Sequence, residues 1–313
     1  MPLYIAIPFL LVFTAFVLRR EIAEWRGERR RRAARSAQAT AWRATFDAEN
    51  PDVTPLTQEE IDDLKAWHAS LALPAVELLP APKRPVAAAG TRIGGPVWLA
   101  DDEAWPADAD GEPLEFVAQV DFAELPPLPD FPTAGLLQFF VGRSDTHGLD
   151  FDHPERGSAR VLWRPDGVQD GRLQPQPGLT PESSHPWERR AVREAGLSLA
   201  GRAAVHPLGR SDWRIEERLK GQLRRPGIDA LDDVLDDDER TAPQVHHVGG
   251  HPVFTQSDFR EPGHCDEFDR TLLRLTSDRN LIWGDMGEAV FLIRRRDLLA
   301  RDFSSVVFYW DCT

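Results

Sequence analysis

The stretch His246-His247-Val248-Gly249-Gly250-His251-Pro252, running on to Gln256 and Asp258 with His264-Cys265-Asp266 beyond, concentrates imidazole, carboxylate and thiol groups. These groups bind metal ions and move protons. Two histidines four apart on a helix would converge on one ion, and His247 and His251 have that spacing, but Gly249-Gly250 and Pro252 break any helix here. The competing reading has the histidines bonding loop backbone beside a tight turn, with Gln256 and Asp258 satisfying nearby amides. No metal, cofactor or catalytic residue is therefore assigned. Nucleophile-elbow and His-Glu-x-x-His patterns are missing too. Asp258 and Asp285 have the chemistry of an acid-base pair, but a sequence does not carry their separation.

The elements around this stretch have an earlier echo. Thr91-Arg92-Ile93-Gly94-Gly95-Pro96-Val97-Trp98 repeats the paired glycines before proline, and Gly94 and Gly249 are 155 residues apart (249 − 94). Such glycines permit positive φ and close backbone approach, a turn able to cradle an anion, although neither dinucleotide nor phosphate-loop spacing is present. Residues 114–122 alternate, with Leu114, Phe116, Ala118, Val120 and Phe122 predicted inward and Glu115, Gln119 and Asp121 on a solvated face. A continuous apolar run at 136–141 reads as a strand covered on both faces. Downstream, residues 271–278, 289–293 and 306–310 repeat the strand pattern, and Trp283-Gly284-Asp285-Met286-Gly287 reads as a turn. The expected organisation is a duplication, with copy one at about 90–205 and copy two at about 240–313. Where the copies meet, His246, His247, Gln256, Asp258, Trp283, Asp285, Gln119 and Asp121 are the candidate binding residues.

From Thr91 through Gly94-Gly95-Pro96, Trp105-Pro106, Pro113 to Asp121 and Gly135 to Phe140, the chain resembles the bacterial YwqG-like family, a domain of unknown function. His246 to Asp258, Trp283 to Gly287, Phe291 to Ile293 and Asp297-Leu298 extend the resemblance over about residues 86–313. His251 departs from it, standing where the family's pattern carries an aromatic residue. The resemblance implies an α+β fold, a single mixed α/β domain with internal duplication into two β-rich halves. It implies no established activity and no catalytic residues.

Composition bounds the remaining possibilities. The 313 residues are 42% hydrophobic with 10 Trp and 16 Phe, enough for a real core. Two cysteines, Cys265 and Cys312, lack paired metal or redox spacing and read as free thiols. Residues 3–18 are uncharged and would span roughly 24 Å as a helix. With arginines following them, they predict an uncleaved single-pass transmembrane anchor, residues 1–18, with the body in the cytoplasm. Between Arg19 and Arg35 eight arginines face three glutamates, a local +5, so the rest of a chain of net charge −14 carries −19. Residues 19–50 read as a basic helical stem, and 51–85 as an amphipathic helix and linker. An acidic body disfavours nucleic acid and leaves the membrane and a protein as expected partners. Acidic residues at 229–239 lack calcium-loop spacing, and Pro- and Gly-rich residues 165–187 predict a long surface loop. The expected function is thus a membrane-tethered cytoplasmic binding module. The alternatives are a metal-dependent or other hydrolase centred on His246 to Asp258, and an immunity-like protein inhibitor.

Overall fold

Apolar runs of five to eight residues punctuated by glycine and proline are too short for helices and long enough for strands. The computed structural model describes residues 54–168, 171–222, 225–231 and 244–313. They divide between two units, a small one drawn from residues 1–58 and 221–229 and a large one of 59–220 and 230–313. In the small unit the Arg225 guanidinium donates to the carbonyls of Thr54 and Pro55, and Leu56 N–H donates to Pro226 O at 2.8 Å.

The large unit holds twelve named strands: β1 (Leu73–Pro80), β2 (Arg92–Ile93), β3 (Val97–Leu99), β4 (Glu115–Asp121), β5 (Leu136–Val141), β6 (Arg160–Arg164), β7 (Arg172–Gln174), β8 (Leu197–His206), β9 (His246–Gly249), β10 (Arg270–Thr276), β11 (Glu288–Ile293) and β12 (Val307–Asp311). Ten of them form one sheet in the order β12-β11-β10-β9-β1-β8-β2-β4-β5-β6. Every pairing in it is antiparallel. β8 comes late in the chain, yet it lies between β1 and β2, with Leu73 opposite His206.

Accumulated twist curls so wide a sheet. Phe139 of β5 meets Phe291 of β11 edge-on at 5.0 Å, although these strands lie near opposite ends of the strand order. The concave face is the main core, and each fully buried phenyl there contributes roughly 1.5–3 kcal/mol. The convex face near β4 and β5 is covered as well. β3 and β7 pair as a separate two-stranded sheet, Gln138 Nε2 donates to Trp98 O at 3.0 Å, and Val97, Leu99, Leu114, Phe116 and Phe140 form a second core cluster.

Several expectations are corrected here. The α+β prediction gives way to a curled antiparallel sheet, because the described helices are short: α1 (Gln58–Ser70), α2 (Arg190–Ala195), α3 (Trp213–Leu219) and α4 (Arg295–Ala300). The predicted membrane anchor and basic stem lie outside the described residues. Among the described residues no helix is long and apolar enough to cross a membrane. Single-pass localisation, a cytoplasmic face and a membrane partner through an N-terminal helix lose their support with it. The solvated face predicted for β4 is covered: Glu115 and Gln119 are both 0% exposed. What covers it near Glu115 comes from residues 175–195, of which 175–187 belong to the stretch predicted to be a surface loop.

Candidate functional site

The paired glycines do local mechanical work. Gly94 and Gly95 have φ of +60° and +84°, a region that disfavours any residue with a Cβ. A Cβ on Gly94 would meet Val192 O at 2.2 Å, and Gly95 N–H donates to Arg193 O at 2.9 Å. The turn therefore clamps α2 against the sheet, and the Gly95 amide serves protein and not an anion. Gly249 and Gly250 behave alike, with φ of +68° and +67°, closely approached by Leu128, Pro74 O and the His206 ring.

Clamping α2 places Arg193 over Glu115. Arg193 Nε donates to Glu115 Oε1 at 2.5 Å and its Nη2 to Oε2 at 3.0 Å. Arg143 Nε donates to Oε2 at 3.0 Å, and Trp187 Nε1 to Oε1 at 2.9 Å. The same two arginines also donate to Pro177 O, while Gln176 accepts from Phe116 N–H at 3.2 Å and donates to Arg193 O at 3.2 Å. Residues 175–178 are thereby strapped across β4. A carboxylate surrounded by such donors has its lone pairs committed, which suits a rigid floor and not proton transfer.

Above this floor opens a cleft of about 750 Å³ lined by Pro175, Gln176, Gly178, Leu179, His185, Trp187, Glu188, Arg190, Arg193 and Glu194. His185 Nδ1 accepts from Trp187 N–H at 3.1 Å, and desolvation lowers the pKa of the ring. Arg190 pairs with Glu194 at 2.7 Å on the exposed rim. Sequence reasoning missed Glu115, Arg143, Trp187 and Arg193. Glu115 fits the polar side of the alternation at 114–122, so the one available signal was a tryptophan, Trp187, at the end of a loop-like stretch.

The eight residues expected to bind are dispersed among separate structural tasks. Gln119 accepts from Arg92 Nη2 at 3.1 Å and donates to Ala88 O and Gly90 O, both at 2.8 Å. Asp121 accepts from Ala123 N–H at 3.0 Å, capping a 3-10 turn, and desolvation raises its pKa. His246 Nδ1 accepts from Thr276 N–H at 3.2 Å, and its Nε2 lies 4.0 Å from Asp278. His247 donates from Nδ1 to Gly249 O at 2.9 Å, leaving Nε2 buried without a hydrogen bond. Its ring stands perpendicular to that of His206 at 4.7 Å. Burial pushes the His246 pKa down to about 4 and that of His247 well below 6.5.

Gln256 is exposed and donates to Cys312 O at 2.6 Å, while its backbone N–H donates to Asp311. Asp258 accepts from Arg260 Nε at 2.9 Å and Nη2 at 2.7 Å, and Arg260 also reaches Asp212 at 3.2 Å. His251, which departs from the family pattern, donates from Nε2 to Leu71 O at 2.7 Å. Trp283 is fully buried with its ring edge-on to His147 at 5.3 Å, and Asp285 is exposed. Among the described residues no hydrogen bond or ring contact joins any two of the eight. Nor does any group of three or more His, Cys, Asp or Glu side chains there have the arrangement to hold a metal ion. Cys265 and Cys312 are free, and burial raises the Cys265 thiol to about 11, which keeps it protonated.

No curated protein matches the chain. The family model for the domain of unknown function DUF1963 matches residues 91–312, well over half the chain, and the protein belongs to that family.

Proposed function

We propose that this DUF1963 domain acts by binding, and that its ligand enters the cleft above Glu115. The observation that carries this reading is the pre-assembled floor, in which Trp187, Arg143 and Arg193 are all fixed on one buried carboxylate. Such a site loses little side-chain entropy when it is filled. The cleft volume lies in the range of small-molecule sites, roughly 300–1,000 Å³. Its lining balances two arginines, Arg190 and Arg193, against Glu188 and Glu194, and adds the apolar surfaces of Trp187, Leu179 and Pro175. A polar ligand of no net charge carrying a flat apolar group fits this chemistry.

The finer YwqG-like assignment within the family, and the two copies at about 90–205 and 240–313, are part of the same proposal. The strand order supports a duplication: outward from the central β1–β8 pair run β2, β4, β5, β6 on one side and β9, β10, β11, β12 on the other. Arg92 and His247 are 155 apart (247 − 92), as are Gln119 and Arg274 (274 − 119), and all four are buried at matching strand positions.

A thermal-shift screen of amino acids, nucleosides and monosaccharides, followed by calorimetry on any hit, tests the reading. Leu179→Glu, on the 38% exposed wall of the cleft, is expected to weaken a true ligand about tenfold without lowering the melting temperature of the free protein. A hit that binds the variant as tightly as the native protein, or a screen with no hit, defeats it.

A further inference from the structure

A curled sheet that does not close leaves two edges, and each edge displays unpaired backbone donors and acceptors. Here the edges are β6 and β12. Nine antiparallel steps separate them, so these two strands run in opposite directions. Between them lies a second cleft of about 500 Å³, lined by Ala159, Arg160 and Val161 on the β6 side and by Val306 and Val307 on the β12 side. Phe303 closes its inner end by packing on Trp163 of β6 at 5.1 Å.

The two edges differ in what flanks them. The 3-10 turn Pro154–Arg156 packs against β12, where Phe151 also sits edge-on to Tyr309 at 6.2 Å. β6 is open on its outer side, where no strand pairs with it among the described residues. Arg160, at its start, is exposed, and the only side-chain hydrogen bond it makes among the described residues is to Ala159 O at 2.9 Å. Of the other charges in the lining, Arg294 is paired with Glu267 at 3.2 Å and Asp297 at 3.4 Å, and Glu155 lies 3.6 Å from Arg156, which leaves Arg160 as the lining charge without an ion pair among the described residues.

We propose that this cleft takes an extended acidic peptide segment of a partner, added as a strand antiparallel to β6. Strand addition draws affinity from main-chain hydrogen bonds, and the pockets on alternate sides sort the side chains. Five residues of β6 offer an edge roughly 16 Å long, enough to register a peptide of similar length. Arg160 selects for a carboxylate near one end of that peptide, and Phe303, Val161 and Val306 take its apolar side chains. The partner strand would run parallel to β12, which leaves β6 as the edge that carries most of the pairing.

The experiment uses the full chain and a fluorescein-labelled octapeptide of alternating valine and glutamate, read by anisotropy and by hydrogen exchange. Saturable binding with new protection confined to residues 159–164 and 303–311 is expected. A version N-methylated at alternate amides should bind at least about tenfold more weakly, because it cannot complete the ladder. A valine–lysine octapeptide should bind roughly threefold to tenfold more weakly, with Arg160→Glu reversing that preference. Protection elsewhere, indifference to N-methylation, or no saturable binding overturns the proposal. The methylated peptide needs no altered protein, so the result stands even if Arg160→Glu folds poorly.

Discussion

Two buried polar clusters, two strands out from the centre of the sheet on either side, are finished in opposite ways. On β4, Glu115 meets Arg143, Arg193 and Trp187, and both carboxylate oxygens are occupied. On β10, Arg274 pairs with Glu288 Oε1 at 2.8 Å, and Thr276 donates to that same oxygen at 3.0 Å. Glu288 Oε2, His247 Nε2 and His206 Nε2 remain buried without hydrogen bonds, the last 3.6 Å from Glu77. Burial raises the Glu288 pKa and lowers those of His206 and His247. The first cluster works as a fixed platform beneath an open cleft. The second is held together only while its histidines stay neutral.

The largest expected effect comes from acid. His147, His246 and His251 have folded pKa values of about 4 against 6.5 when unfolded, with burial the leading cause in each. Below pH 6.5 the unfolded chain therefore takes up protons that the folded chain refuses, and stability falls steadily from pH 6.5 to about 4. The raised carboxylates Glu288, Asp258 and Asp311 oppose this trend at lower pH, since protonation suits their burial. Urea midpoints measured across this range check the sign, and His247→Gln should flatten the fall. Equal slopes for variant and parent would remove the second cluster from the explanation.

Next comes the loss of a partner. Glu115→Ala strands two guanidinium groups and an indole N–H in the interior and should cost about 3–5 kcal/mol by urea denaturation. Arg274→Ala should cost less, about 1–3 kcal/mol, because Glu288 is already inclined toward its neutral form and can protonate. Equal costs would erase the contrast between the clusters.

The glycine turns sharpen it further. Gly94→Ala drives a Cβ to 2.2 Å from the Val192 carbonyl, a backbone atom, whereas in Gly249→Ala the nearest atom is Leu128 Cδ2 at 2.5 Å, the end of a flexible side chain. Both carry positive-φ strain of about 1–2 kcal/mol, and Gly94→Ala should lower the melting temperature more. The smallest effect is expected from Arg190→Ala, which breaks only an exposed pair with Glu194 and should leave the melting temperature unchanged.

Much of the strand content was legible because it is local. Alternation at 114–122 and the apolar run at 136–141 became β4 and β5, and the two glycine pairs became tight turns. What covers a strand's second face is not local. Glu115 looked solvated because its partners Arg143, Trp187 and Arg193 lie 28, 72 and 78 residues away. The proline-rich stretch looked unable to pack because, apart from the buried Trp187 at its end, its contribution comes through carbonyls and one glutamine. The histidines misled in the other direction. Their side-chain type signals chemistry, but His246, His247 and His251 are each bonded to main-chain groups.

The late strand β8, wedged between β1 and β2, sets how the molecule must come together. Leu73 finds His206 only after 133 residues of chain have been made (206 − 73), so the middle of the sheet cannot assemble while its beginning leaves the ribosome. Loop closure over such distances slows folding, and until residue 206 arrives the edges of β1 and β2 stay open to wrong partners. A chain stopped before residue 197 should therefore aggregate and fail to yield a small stable fragment.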